Sequence, residues 1–80
     1  MAEKLFIIER VLVMEGDVEV RSARSTRDRI AAADPQDAVT RYAAAIGAEV
    51  VGISGDSQNE RASAIVQAGE KIYRLFAFPE

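Results

Sequence analysis

Few side chains in this sequence are placed to do chemistry. The stretch "RSARSTRDR", Arg21–Arg29, holds four arginines and one aspartate, and guanidinium groups at that density suit phosphates or carboxylates. In "GISGDS", Gly52–Ser57, the side chains of Ser54, Asp56 and Ser57 cluster between glycines as a nucleophilic site would. The overlapping "DSQNE", Asp56–Glu60, offers oxygen ligands to a hard cation. Carboxylates also come in pairs, Asp34 with Asp37 and Glu15 with Asp17, as general acid–base chemistry requires.

Most of these candidates have a simpler structural explanation. A serine nucleophile needs a base within hydrogen-bond reach, the chain has no histidine, and the spacing is not Gly-x-Ser-x-Gly. "GISGDS" is therefore expected to be the exit of a strand, with "GDSQN" as a loop. The acidic alternation, glycine and distal glutamate of a calcium loop are missing from "DSQNE", which leaves a polar turn. Asp34 and Asp37 fit a helix cap, and Glu15 and Asp17 a hairpin turn. There is no glycine-rich phosphate loop, and two aspartates at a helix start repel phosphate from it. With no cysteine, disulfides and thiolate metal sites are excluded. The expectation is a non-enzyme without cofactor or metal.

The elements that must position the arginines come next. Lys4–Met14, "KLFIIERVLVM", is rich in β-branched and aromatic residues and runs through "EGD" into "VEVRSAR", a hairpin signature. A turn at Glu15-Gly16 would pair Val13 with Val18 and Val11 with Val20. Leu5, Ile7, Val11, Val13, Val18 and Val20 would then share one face, and Phe6, Ile8, Leu12 and Met14 the other. A first strand apolar on both faces calls for a helix on one side and another cover on the other. "RIAAA" can extend or follow the second strand.

Asp34 is an N-cap and Pro35 occupies the first helical position. Ala38, Val39, Tyr42, Ala43 and Ile46 recur at helical spacing, and Gly47 supplies the stop. A helix is predicted over Pro35–Ile46, then a strand in "EVVGIS". For 57–68 two alternatives stand. Ser57 with Glu60 matches a capping box for a helix ending near Gly69, whereas "ASAIV-QAGE-KIYRLFAF" has the form of two strands around a glycine turn, and the hairpin is preferred. Lys71–Phe78 is a strand either way, and Pro79 is expected to end its pairing. The fold class is α+β, a single 1–80 domain with a mainly antiparallel sheet and one principal helix on one face, ordered β-β-α-β-β-β.

Strand alternation puts Arg21 and Arg24 on opposite faces and leaves Arg27 and Arg29 beyond a bend, so the four arginines form no row. No aromatic residue lies between Phe6 and Tyr42, and nucleic-acid modules interleave aromatic platforms with their basic residues. Pairing with Glu9, Glu19, Asp17 and Asp28 is the expected role of the strip. The net charge of −3 favours solubility over nucleic-acid binding. Its distribution is uneven, with +3 on Arg21–Arg29 and −6 on the other 71 residues.

In "KIYRLFAF", alternation separates Ile72, Arg74, Phe76 and Phe78 from Tyr73, Leu75 and Ala77. One set can serve the core. The other leaves an apolar sheet face, which marks an interaction surface. Arg21, Arg24, Arg27, Arg29, Arg74, Phe76 and Phe78 are accordingly the candidate partner-binding residues. An 80-residue chain buries a modest core, and without disulfide or metal the remaining support is a homodimer or a larger protein partner. No stretch is apolar for the roughly 20 residues of a membrane span, so a soluble, cytoplasmic protein is expected, with no membrane partner.

The run "AAADPQDAVTRYAAAIGAEVVGI" followed by "GEKIYRLFAFPE" is similar to certain small phage and mobile-element proteins, the type I anti-CRISPR inhibitors. In those, a strand pair leads through an Asp-Pro-capped, alanine-rich helix to further strands and a short tail. The resemblance covers Ala31–Glu80. It implies a non-enzymatic inhibitor that binds a CRISPR effector complex and obstructs DNA recognition, and it assigns no residue by position. RNA or DNA binding through Arg21–Arg29 is the alternative.

Overall fold

The structure, a computed structural model, describes residues 3–20, 25–56 and 58–80. Its strands are β1 (Lys4–Glu15), β2 (Val18–Glu19), β3 (Ser25–Ala32), β4 (Glu49–Asp56), β5 (Arg61–Ala68) and β6 (Lys71–Pro79), with helix α1 (Pro35–Ala45) between β3 and β4. All pairings are antiparallel. The strand path is β2-β1-β6-β5-β4, and β3 continues β2 along the same side of β1. The sheet is thus α+β with one helix on one face, as expected, and it curls into a half-barrel.

The helix begins where local chemistry dictates. Asp34 accepts the Asp37 N–H at 2.7 Å, and the Asp37 carboxylate accepts the Ala33 N–H at 3.0 Å. Two otherwise orphaned donors are satisfied reciprocally. At the other end Gly47, with φ +70°, lets its own N–H reach the Ala44 carbonyl and the Ala48 N–H reach the Ala43 carbonyl. These two bonds close a Schellman stop. Asp34→Ala removes the N-cap and is expected to cost about 1 kcal/mol. Thermal unfolding followed by circular dichroism should show the midpoint lowered by roughly 4–8 °C.

β3 and β4 lie at opposite margins of the sheet, and α1 packs on the curled face between them, with Gln36 at its start against Gly55 of β4 and the Tyr42 hydroxyl on Asp28 of β3. The helix buries Pro35, Ala38, Val39, Tyr42 and Ala43 against Phe6 and Ile8 of β1, Ala32 of β3, Ala62, Ala64 and Val66 of β5, and Leu75 and Ala77 of β6. Among the described residues half of the buried hydrophobic side chains are alanines, which lets helix and sheet approach closely. Among the described residues the largest fully buried side chains are Phe6, Ile8, Leu75, Val39 and Val66. Arg41 ties the helix to both neighbours at its start, meeting Glu3 at 2.6 Å, Asp37 at 3.0 Å and the Ala31 carbonyl at 3.3 Å.

The structure corrects four expectations. The first turn falls on Gly16-Asp17, so Glu15 pairs with Val18 and Met14 with Glu19, and the Val20 N–H bonds the Val13 carbonyl at 3.0 Å. Gly16 takes the positive φ of +61° and donates its N–H to the Glu70 carbonyl of the neighbouring hairpin. Val11 pairs with Ser25, not Val20. β4 runs on through Gly55 and Asp56, because both pair with β5. Pro79 does not end the pairing either. It lies opposite Phe6, and the Glu80 N–H supplies the next bond, to the Leu5 carbonyl. The preferred hairpin is present, with Ala68 paired to Lys71 around Gly69-Glu70. Ser57, the proposed cap of the rejected helix, lies outside the described residues.

Candidate interaction face

The sheet face opposite α1 gathers five of the seven candidate residues. Ladder partners share a face, so the register aligns them in rows. Arg29, Ile7 and Phe78 form one row, and Arg27, Glu9, Phe76, Ser63 and Ser54 the next. Ser25, Val11, Arg74, Ile65 and Gly52 form a third. Tyr73, Leu75 and Ala77 turn to the helix while Ile72, Arg74, Phe76 and Phe78 remain on the open side. The split read from "KIYRLFAF" is therefore present in the fold.

β3 starts at Ser25, so Arg27 and Arg29 belong to one strand, two residues apart, and share the open face. Arg21 and Arg24 lie outside the described residues. The aromatic neighbours absent from the local sequence arrive through β1 from β6. The Arg27 guanidinium stands 5.7 Å from the Phe78 ring centre, and Arg74 stands 5.7 Å from that of Phe76. Such contacts are worth about 0.5–1 kcal/mol at exposed sites.

Carboxylates complete the arrangement. Arg27 meets Glu9 at 3.0 Å and Arg29 meets Glu80 at 3.2 Å. Both guanidiniums are about two-thirds exposed, and ion pairs of that kind contribute about 0–1 kcal/mol. They orient the arginines more than they stabilise the fold. Glu9 was an expected partner. Glu80 was not, because only the β1–β6 pairing carries the last residue alongside β3. Asp28, expected to meet an arginine, instead accepts the Tyr42 hydroxyl at 2.6 Å. Burial of the Tyr42 ring, together with that bond, pushes its pKa up to about 12.

The other chemical candidates are accounted for by structure. Ser54 lies in β4 opposite Ser63. The Asp56 carboxylate accepts the Asn59 side-chain amide at 2.6 Å and the backbone N–H groups of Asn59 and Gln58. These bonds, the Asn59 side chain foremost, hold its pKa below the usual carboxylate range. Asp34 and Asp37 are occupied at the helix cap.

No family model matches the chain, and no curated protein or solved structure is significantly similar to it. The open face thus has to be interpreted from its own composition. Ile7, Val11, Ile65, Ile72, Phe76 and Phe78 make its middle apolar, Glu9 stands among them, and arginines flank it. Glu9, Phe76 and Phe78 line a shallow depression together with Arg61. Ile65, Ser54, Ser63 and Arg74 line a second. Sequence reasoning missed Ile65 and the two serines as members of this face. Strand alternation of "RASAIVQA" was the available signal, since it separates Ala62, Ala64 and Val66 from Ser63 and Ile65.

Proposed function

We propose that the protein is a non-enzymatic interaction module whose open sheet face binds a surface of a larger protein complex. One observation carries the reading: a half-buried apolar and aromatic sheet face, centred on Phe76 and Phe78, lies opposite the helix, and no element among the described residues covers it. An exposed apolar patch with a polar rim is the usual mark of a protein-binding surface, and aromatic residues and arginine are enriched at such surfaces. In its sharpest form the module is an inhibitor that seats this face on a CRISPR effector and blocks DNA recognition. The anti-CRISPR resemblance of Ala31–Glu80 supports that form.

Nucleic-acid binding is a second reading with its own support, because Arg27, Arg29 and Arg74 stand beside Phe76 and Phe78 on one face. Aromatic stacking platforms with arginines bind single strands in this manner. The carboxylates of Glu9 and Glu80 weigh against it, since phosphates would have to displace them. One experiment separates the two. A purified type I effector complex is mixed with labelled target DNA, and the protein is added as wild type, as Phe76→Glu/Phe78→Glu or as Arg27→Ala/Arg29→Ala. The inhibitor reading expects wild type to abolish DNA capture by the effector, at least a tenfold weaker effect from the Phe variant, and no binding of the protein alone to DNA or RNA. Salt-dependent binding of the protein alone, lost in the Arg variant, would replace it with the nucleic-acid reading. No effect on the effector sinks the inhibitor form.

A further inference from the structure

The two halves of the open face differ in how their charges are satisfied. On the β1–β3 half, Glu9 and Glu80 hold Arg27 and Arg29. On the other half Arg61 and Arg74 are both exposed, and neither has a carboxylate within 4.0 Å among the described residues. Asp56, the ladder partner of Arg61, gives its two carboxylate oxygens to Asn59 and Gln58 instead. Between the two arginines lies a pair of hydroxyls. Ser54 and Ser63 are ladder partners, which puts their Cβ atoms about 4.5–5.5 Å apart. Neither hydroxyl has a hydrogen-bond partner among the described residues. Arg61 precedes Ser63 by two residues on the same face of β5, and Arg74 lies opposite Ile65, two residues beyond it. The Arg74 guanidinium leans over Phe76 at 5.7 Å, and Phe76 is the partner of Ser63 on β6. Two shallow depressions consequently meet at the serine pair, one rimmed by Arg74 and the other by Arg61.

We infer that the Ser54–Ser63 pair, together with Arg61 and Arg74, is a carboxylate-binding site whose occupant is an aspartate or glutamate of the protein partner. The inference rests on the proposed function and deepens it by giving the partner surface its chemistry, an acidic side chain beside an apolar one that packs on Phe76. Charge complementarity carries it. An ionised carboxylate only accepts hydrogen bonds, and two guanidiniums and two hydroxyls converge here as donors. Guanidinium–carboxylate hydrogen bonds are charge-assisted and about twice as strong as neutral ones. Phe76 and Ile65, both half-buried, border the serines with apolar surface, where such bonds are less screened than in open water. A cationic side chain would meet two like charges. A nucleic-acid strand, with a charge at every nucleotide, would have to lay its backbone over Glu9 and Asp56, which border the site on two sides. A single carboxylate fits between them.

The test titrates the intact, isotope-labelled chain with a capped peptide of alternating leucine and aspartate and follows it by nuclear magnetic resonance. The peptide should shift the Ser54 and Ser63 amides and the Arg61 and Arg74 Nε–H signals saturably. The same peptide with asparagine in place of aspartate should bind at least tenfold more weakly. Arg61→Gln/Arg74→Gln should weaken the aspartate peptide at least tenfold while leaving the circular dichroism of the fold unchanged. Equal binding of the two peptides overturns the inference, and so does undiminished binding by the Arg61→Gln/Arg74→Gln chain. Tighter binding of oligothymidylate than of the aspartate peptide also overturns it and assigns the site to nucleic acid. The effector assay separates this inference from the function on which it rests. If Arg61→Gln/Arg74→Gln still blocks DNA capture where Phe76→Glu/Phe78→Glu does not, the acidic partner is refuted and the proposed function stands. Aspartate-peptide binding without any effect on the effector upholds the carboxylate site and removes the inhibitor form.

Discussion

Leu75→Ala should lower the unfolding free energy by about 3 kcal/mol, within the roughly 2–5 kcal/mol seen for buried Leu→Ala changes. Leu75 is fully buried on β6, which lies between β1 and β5 and beneath α1. Its neighbours in the ladder are Arg10 and Ala64, neither of which can swing apolar bulk into the space. Because half of the buried hydrophobic residues are alanines, few large side chains can relax to fill a void, and an unfilled cavity adds to the lost transfer energy. At about 0.05–0.15 kcal/mol per residue, an 80-residue chain has a margin that such a change would consume in large part. Urea unfolding should show a lower midpoint with an unchanged slope. Leu5→Ala is the control, because Leu5 is 50% exposed and its truncation should stay below about 1 kcal/mol. Equal losses for the two variants would refute this placement of the core.

Alkaline pH should destabilise the fold through Tyr42. Its folded pKa is raised to about 12 from an ordinary value of 10, chiefly because the ring is buried and then because its hydroxyl donates to Asp28. The unfolded chain therefore loses this proton first. The stabilisation is complete below pH 10 and disappears as pH rises through about 12, a loss of about 3 kcal/mol at roughly 1.4 kcal/mol per pH unit. Comparison of urea midpoints across that window between wild type and Tyr42→Phe isolates the effect from other alkaline titrations. The variant should begin about 1 kcal/mol less stable and fall less steeply. A Tyr73→Phe chain gives a direct reading, since its one remaining tyrosine should form tyrosinate near pH 12. Titration near pH 10 would contradict the buried Tyr42–Asp28 bond.

The features that sequence reasoning located well were local ones. Asp34-Pro35, the Ala38–Ile46 stripe and Gly47 each act within one or two turns of chain, and the helix occupies the expected place apart from its last residue. Alternation within Lys71–Phe78 separated core from open face correctly for the same reason, since side-chain direction in a strand needs no partner. The errors arose where backbone pairing decides the outcome. The first turn moved by one residue because Gly16 both tolerates positive φ and bonds a carbonyl of another hairpin. Arg27 and Arg29 share one face of β3, and which residues they meet is set by the pairing of β3 with the first half of β1.

Sequence alone therefore determined the element types, the capped helix, the apolar alternation and the absence of histidine and cysteine chemistry. Those depend on residue identity and on neighbours a few positions away. Only the tertiary structure decided that Arg27 would lie over Phe78, that Glu80 would meet Arg29, and that β4 would lie at one margin of the sheet. Each follows from which strands become neighbours. β1 and β6 lie at opposite ends of the chain yet pair side by side, and β3 and β4, joined through α1, lie at opposite edges of the sheet. The arginines consequently meet aromatics and carboxylates supplied from residues some fifty positions away.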